Sequence, residues 1–93
     1  MPITKRQFEL GVDPEIQHWM KEIYSRLSKH KNEAFTYNEL WGLAGVPALT
    51  SVPPSFDYAL GKLLGLNVVE TRTVKGASYY TLGTKKLEEH LVA

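Results

Sequence analysis

A small α+β domain is the fold class that this sequence predicts, and three observations predict it. An apolar stripe of helical period runs from Ile16 to Leu27, two further helical stretches follow, and two runs rich in β-branched and aromatic residues flank Lys75-Gly76. At 93 residues the chain has room for one hydrophobic core. Its 43% hydrophobic and 23% charged residues place it with folded rather than disordered chains.

The first helix is announced by Asp13-Pro14. An aspartate before the first turn accepts hydrogen bonds from free amides, and proline at the next position has no amide to leave unpaired. Ile16, Trp19, Met20, Ile23, Tyr24 and Leu27 then share one face. Lys29, His30 and Lys31 suit the negative pole at the far end, and Asn32 is read as the stop. Residues 1–12 are read as an N-terminal arm, frayed or carrying Lys5 and Arg6 toward a partner, and residues 13–93 as the folded domain.

Ala34-Phe35 gives a short extended entry to a second helix. Thr36-x-x-Glu39 has the spacing of a capping box, so this helix runs from Tyr37 to about Ala44 and is closed by Gly45. The stretch Val46 to Ser55 holds three prolines and reads as a loop. A third helix follows over Ser55–Leu66, with Phe56, Ala59, Leu60 and Leu63 inward and Ser55, Tyr58, Gly61 and Lys62 outward.

Asn67 stands where the chain must leave that helix, and it tolerates the left-handed conformation better than other non-glycine residues. Val68–Val74 and Ala77–Leu82 form a hairpin about Lys75-Gly76. Pairing outward from the turn sets Val69 opposite Leu82 and Thr71 opposite Tyr80 on the core face, with Glu70 opposite Thr81 and Arg72 opposite Tyr79 on the other. A last helix is expected over Lys85 to about Val92, burying Leu87 and Leu91.

Several chemistries are set aside by residue type. The chain has no cysteine, so no disulfide or thiolate metal site is expected, and His18, His30 and His90 have no shared helical turn. No metal, cofactor or catalytic residue is assigned, because phosphate loops and paired carboxylates are absent. No apolar run is long enough to span a bilayer and the opening segment does not read as a signal peptide, so the expected location is cytoplasmic, away from membranes.

Three segments carry a resemblance. AFTYNELWGLAGV resembles the start of a helix-turn-helix, ALGKLLGLNVVETR the passage from recognition helix to wing, and SYYTLGTKKLEEHL the return strand and terminal helix. With the order of elements, they make the chain similar to winged helix-turn-helix domains of the small prokaryotic transcription-regulator type: a three-helix core, a β-hairpin wing and a C-terminal helix. That resemblance implies a DNA-binding regulator whose third helix enters the major groove while its wing touches the backbone. It places DNA contacts at Thr50, Ser51, Ser55, Tyr58, Lys62, Arg72 and Lys75. It also implies pairing as a homodimer on two half-sites.

Two departures from that pattern stand in the residues. The loop before the third helix is longer than the roughly three- to four-residue turn of the standard motif, and this helix carries Asp57 and a single basic residue where base readers offer Arg, Asn or Gln. The formal net charge is only +1. These features suit the alternative reading, a protein-interaction module within a larger assembly. The two readings separate on whether the cations form one continuous surface.

Overall fold

The computed structural model describes residues 2–45 and 53–87. Among them are four helices and one three-stranded antiparallel sheet, in the order α1 (Lys5–Leu10), α2 (Pro14–Lys29), β1 (Phe35–Thr36), α3 (Tyr37–Leu43), α4 (Pro54–Gly65), β2 (Val69–Val74) and β3 (Ala77–Leu82). The architecture is mixed α+β.

Helix α1 corrects the expectation of an arm. Thr4 and Gln7 form a capping box, the Thr4 hydroxyl accepting from the Gln7 amide at 3.0 Å and the Gln7 side chain accepting from the Thr4 amide at 2.9 Å. Gly11 closes the helix at a φ of +71°, a conformation open to glycine at little cost. Val12, next in the chain, is already core at 3% exposure. The segment before Asp13 is therefore held by caps and by burial rather than left to fray.

The start of α2 falls where the sequence sets it. Asp13 Oδ1 accepts from the Ile16 amide at 2.8 Å, and Pro14 occupies the first turn. The helix stops at Lys29 with His30 as its cap, before the expected Asn32. Met20, Ile23 and Leu27 are fully buried, while Ile16, Trp19 and Tyr24 pack around them.

Against this stripe lies α4, through Phe56, Ala59, Leu60 and Leu63. Phe56 is wholly enclosed, with the Trp19 ring edge-on at a centroid distance of 5.7 Å and Tyr37 at 6.1 Å. Burying such a side chain stabilises the fold by roughly 1.5–3 kcal/mol. Trp41 belongs to the rim of the same core, its indole N–H donating to Asn38 Oδ1 at 3.1 Å.

The sheet has the order β1-β3-β2, and the hairpin register agrees with the sequence reading: Val69 opposite Leu82, Glu70 opposite Thr81, Thr71 opposite Tyr80 and Arg72 opposite Tyr79. Lys75 and Gly76 take φ values of +51° and +82°, so both central residues of the turn are left-handed, as a type I′ hairpin needs. Asn67, at φ +62°, turns the chain from α4 into β2.

The terminal helix is a correction for its first residues, since Lys85, Lys86 and Leu87 are not helical. The Gly83 amide donates to the Val68 carbonyl at 2.7 Å and the Lys85 amide to the Asn67 carbonyl at 3.1 Å. Those bonds hold the chain against the α4–β2 turn and spend its amides there. Leu87 is buried as expected, and the rest of that helix, with Leu91, lies outside the described residues.

Gly83 crosses so closely that a Cβ there would stand 2.4 Å from the Asn67 carbonyl oxygen. The obstacle is backbone, which cannot swing aside. Gly83→Ala is expected to destabilise the domain by about 1–3 kcal/mol in a chemical denaturation series. Gly42→Ala, where nothing among the described residues lies within 4 Å of the added methyl, is the matched control and should be neutral or slightly stabilising.

Candidate nucleic-acid interface

The sequence places seven contacts on the third helix, the loop before it and the wing. The structure brings some of them to the surface and withdraws others. Thr50 and Ser51 lie outside the described residues.

Ser55 is corrected: it is buried at 7% exposure, not outward. Helix α4 starts at Pro54, one residue before the expected start, and Ser55 sits in its first turn beside Phe56. Its hydroxyl has no hydrogen-bond partner, the one buried side-chain polar atom of which this is true among the described residues.

Tyr58 is 65% exposed and fully available. Lys62 is half-buried and leans toward α1: its ammonium is 2.9 Å from where a Cβ on Gly11 would stand. Gly11 is the C-cap of α1, and a cation is favoured beside the carbonyl end of a helix. The missing Cβ leaves the room for that ammonium. Sequence reasoning missed this contact because it read no helix before Asp13, although Thr4-x-x-Gln7 and Gly11 were the signals for one.

The exposed face of α4 is Pro54, Asp57, Tyr58, Gly61 and Gly65. It carries no cation. Gly61, read from sequence as a mark of close approach, has nothing among the described residues within 4 Å of its missing Cβ, so none of them requires a glycine there.

Asp57 has a partner that no local pattern announces. The Tyr37 hydroxyl, from the first turn of α3, donates a short hydrogen bond to Asp57 Oδ1 in the first turn of α4. This bond ties the starts of the two helices together across a separation of 20 residues in sequence. Burial, followed by the hydrogen bond and the negative charge of Asp57, pushes the Tyr37 hydroxyl up to about 12. Its carboxylate partner also sits at the positive pole of α4, where an anion is favoured.

On the hairpin, Arg72 and Lys75 are both exposed. Lys75 stands at the turn itself and Arg72 on the solvent face of the sheet, opposite Tyr79. That face forms a shallow, mostly apolar groove lined by Ala34, Glu70, Arg72, Val74, Tyr79 and Thr81. Lys85 and Lys86 are exposed after β3. The described cations of the candidate site thus divide: Lys62 lies against α1, and Arg72 and Lys75 lie on the hairpin.

Among the described residues no cluster of three or more metal-ligating side chains occurs, and no helix is long and apolar enough to cross a membrane. No protein-family profile, curated protein or solved structure matches this chain.

The Tyr37–Asp57 bond has a pH consequence. A hydroxyl whose folded pKa stands above its ordinary value of 10 contributes stability that is present below pH 10 and is lost as pH rises from there through about 12. Titration of tyrosinate absorbance should show a late step from Tyr37. Tyr37→Phe should remove that late step and cost about 1 kcal/mol near neutral pH. If Tyr37→Phe leaves the late end of the titration unchanged, the bond does not hold in solution.

Proposed function

We propose that this chain is a winged-helix domain that grips duplex DNA chiefly through its hairpin, by phosphate contact rather than by reading base edges. One observation carries the reading: an ordered type I′ hairpin presents exposed Lys75 at its tip and Arg72 on its strand, beside the α3–α4 helix pair. Backbone contacts need cations on a rigid projecting element, and such contacts position a protein without sequence information. The element order and the β1-β3-β2 sheet are compatible with the winged-helix architecture.

The exposed face of α4 limits what this reading includes. Asp57 would face phosphates unfavourably, Gly61 and Gly65 offer no side chain, and Tyr58 is left as a single polar contact. Strong base specificity is therefore not part of the proposal. The same cation-free face, together with the division of Lys62 from Arg72 and Lys75, favours the second reading, a protein-interaction module in which Tyr58 anchors a partner, since exposed tyrosine is enriched at protein interfaces.

Fluorescence anisotropy of labelled duplexes of unrelated sequence, at low and near-physiological salt, tests the proposal. Affinity is expected to fall steeply with salt and to differ little between sequences. Arg72→Gln and Lys75→Asn should each reduce the log–log salt slope by about 0.9, the loss of one phosphate contact. Asn is chosen because position 75 is left-handed, which Asn tolerates. Lys62→Ala should have a smaller effect. Absence of binding at low salt would overturn the proposal in favour of the interaction module.

A further inference from the structure

Strand β2 lies at the edge of the sheet, and five of its six residues are exposed. Its turn-adjacent pair Val74–Ala77 closes a two-residue type I′ hairpin, so that pair and every second one after it, Arg72–Tyr79 and Glu70–Thr81, are the hydrogen-bonded pairs. The same parity continues at Val68, whose carbonyl accepts from Gly83. The amides and carbonyls of Val69, Thr71 and Thr73 therefore point away from β3; those of Thr71 and Thr73 lie along an exposed edge, whereas Val69 is buried and its groups are covered. A shallow groove runs there, walled by Leu64 and Asn67.

Such edges are usually blunted by proline, a bulge or inward charge, because they template the addition of another strand. Residues 69–74, VETRTV, contain no proline, and β2 runs opposite β3 without a bulge. Its two charges have opposite sign and lie two residues apart on one face. Neither Glu70 nor Arg72 has an ion-pair partner among the described residues.

We propose that β2 pairs with β2 of a second copy of this chain, antiparallel and centred on Thr71, to make one continuous six-stranded sheet. In this register Thr71 faces its own copy, so that the outward amide and carbonyl of each meet those of the other, while Thr73 faces Val69, whose own groups are covered. Glu70 then stands opposite Arg72 of the second copy, and Arg72 opposite its Glu70, in the non-hydrogen-bonded positions where side chains approach most closely. Charge selects this register against its neighbours. Moving the centre to residue 70 sets Glu70 against Glu70, and moving it to residue 72 sets Arg72 against Arg72. Moves of the other parity, with Thr71 opposite Arg72, set outward groups against residues whose own groups are turned inward. The contact is isologous and closes on itself, so it stops at two copies.

This inference does not depend on DNA binding, though the dimer and a duplex would compete for Arg72. Sedimentation equilibrium of the full chain without DNA, over a wide concentration range, tests it. The protein should pass from monomer to dimer as concentration rises. Glu70→Arg and Arg72→Glu should each weaken the dimer by about tenfold or more, and the double exchange should restore it, since opposite charges face again. Thr71→Pro provides a second route: it removes an amide that β3 does not use and should abolish pairing while circular dichroism keeps the native signal. Glu70→Arg should leave duplex binding intact or stronger, which separates failure of the dimer from failure of the DNA reading. A monomer at every concentration, or a double exchange no tighter than the single ones, would overturn the proposal.

Discussion

The packing of α2 on α4 around Phe56 is the constraint on which the rest of the structure depends. Met20, Ile23 and Leu27 on one side and Phe56, Ala59 and Leu63 on the other are excluded from water, and among the described helices α2 and α4 are the pair in most extensive contact. Each such side chain withdrawn from water stabilises the fold by a few kcal/mol at most, and together they are set against the conformational entropy of the chain. Once these two helices are fixed, the direction in which α4 ends is fixed too. The left-handed turn at Asn67 can then deliver β2 to one place only, beside the strand that returns past Val68 and Gly83.

The surface follows from that core. Every residue of α4 used to cover α2 is unavailable to a ligand, and the remaining face is short of side chains as well as of charge. Ser55 shows the effect: a helix start moved by one residue leaves its hydroxyl inside. Lys62 shows another, because the packing of α1 brings a carbonyl pole close enough to draw its ammonium. Lys62 is thereby set apart from Arg72 and Lys75, which stay exposed on the hairpin. Its strand β2 is paired on one side only, so the hairpin keeps unspent capacity for hydrogen bonding and charge.

Much of the architecture was legible because its signals are local. The 3.6-residue stripe of α2, the capping box at Thr36, the turn at Lys75-Gly76 and the register that the turn imposes all involve residues within a few positions of one another. Helix α1 was legible in principle by the same rule, since Thr4, Gln7 and Gly11 mark both its ends. It was passed over because a six-residue helix without a full apolar stripe gives little periodic signal. The expected terminal helix failed at its start for a different reason. Helical spacing over 85–91 is a local preference, and the bonds from Gly83 and Lys85 to the α4–β2 turn hold the backbone there along a course set by tertiary contact.

By itself the sequence determined the class of the fold, the order of most of its elements, the hairpin register and the greater part of the core, since these rest on periodicity and caps that act over one or two turns of chain. It also determined that no thiol chemistry is available, because that is a matter of residue type. The tertiary structure alone decided which polar side chains are free. Burial of Ser55, the leaning of Lys62 over Gly11 and the bond from Tyr37 to Asp57 join residues as far as 51 positions apart, and distance in space between such residues is set by packing rather than by any local preference.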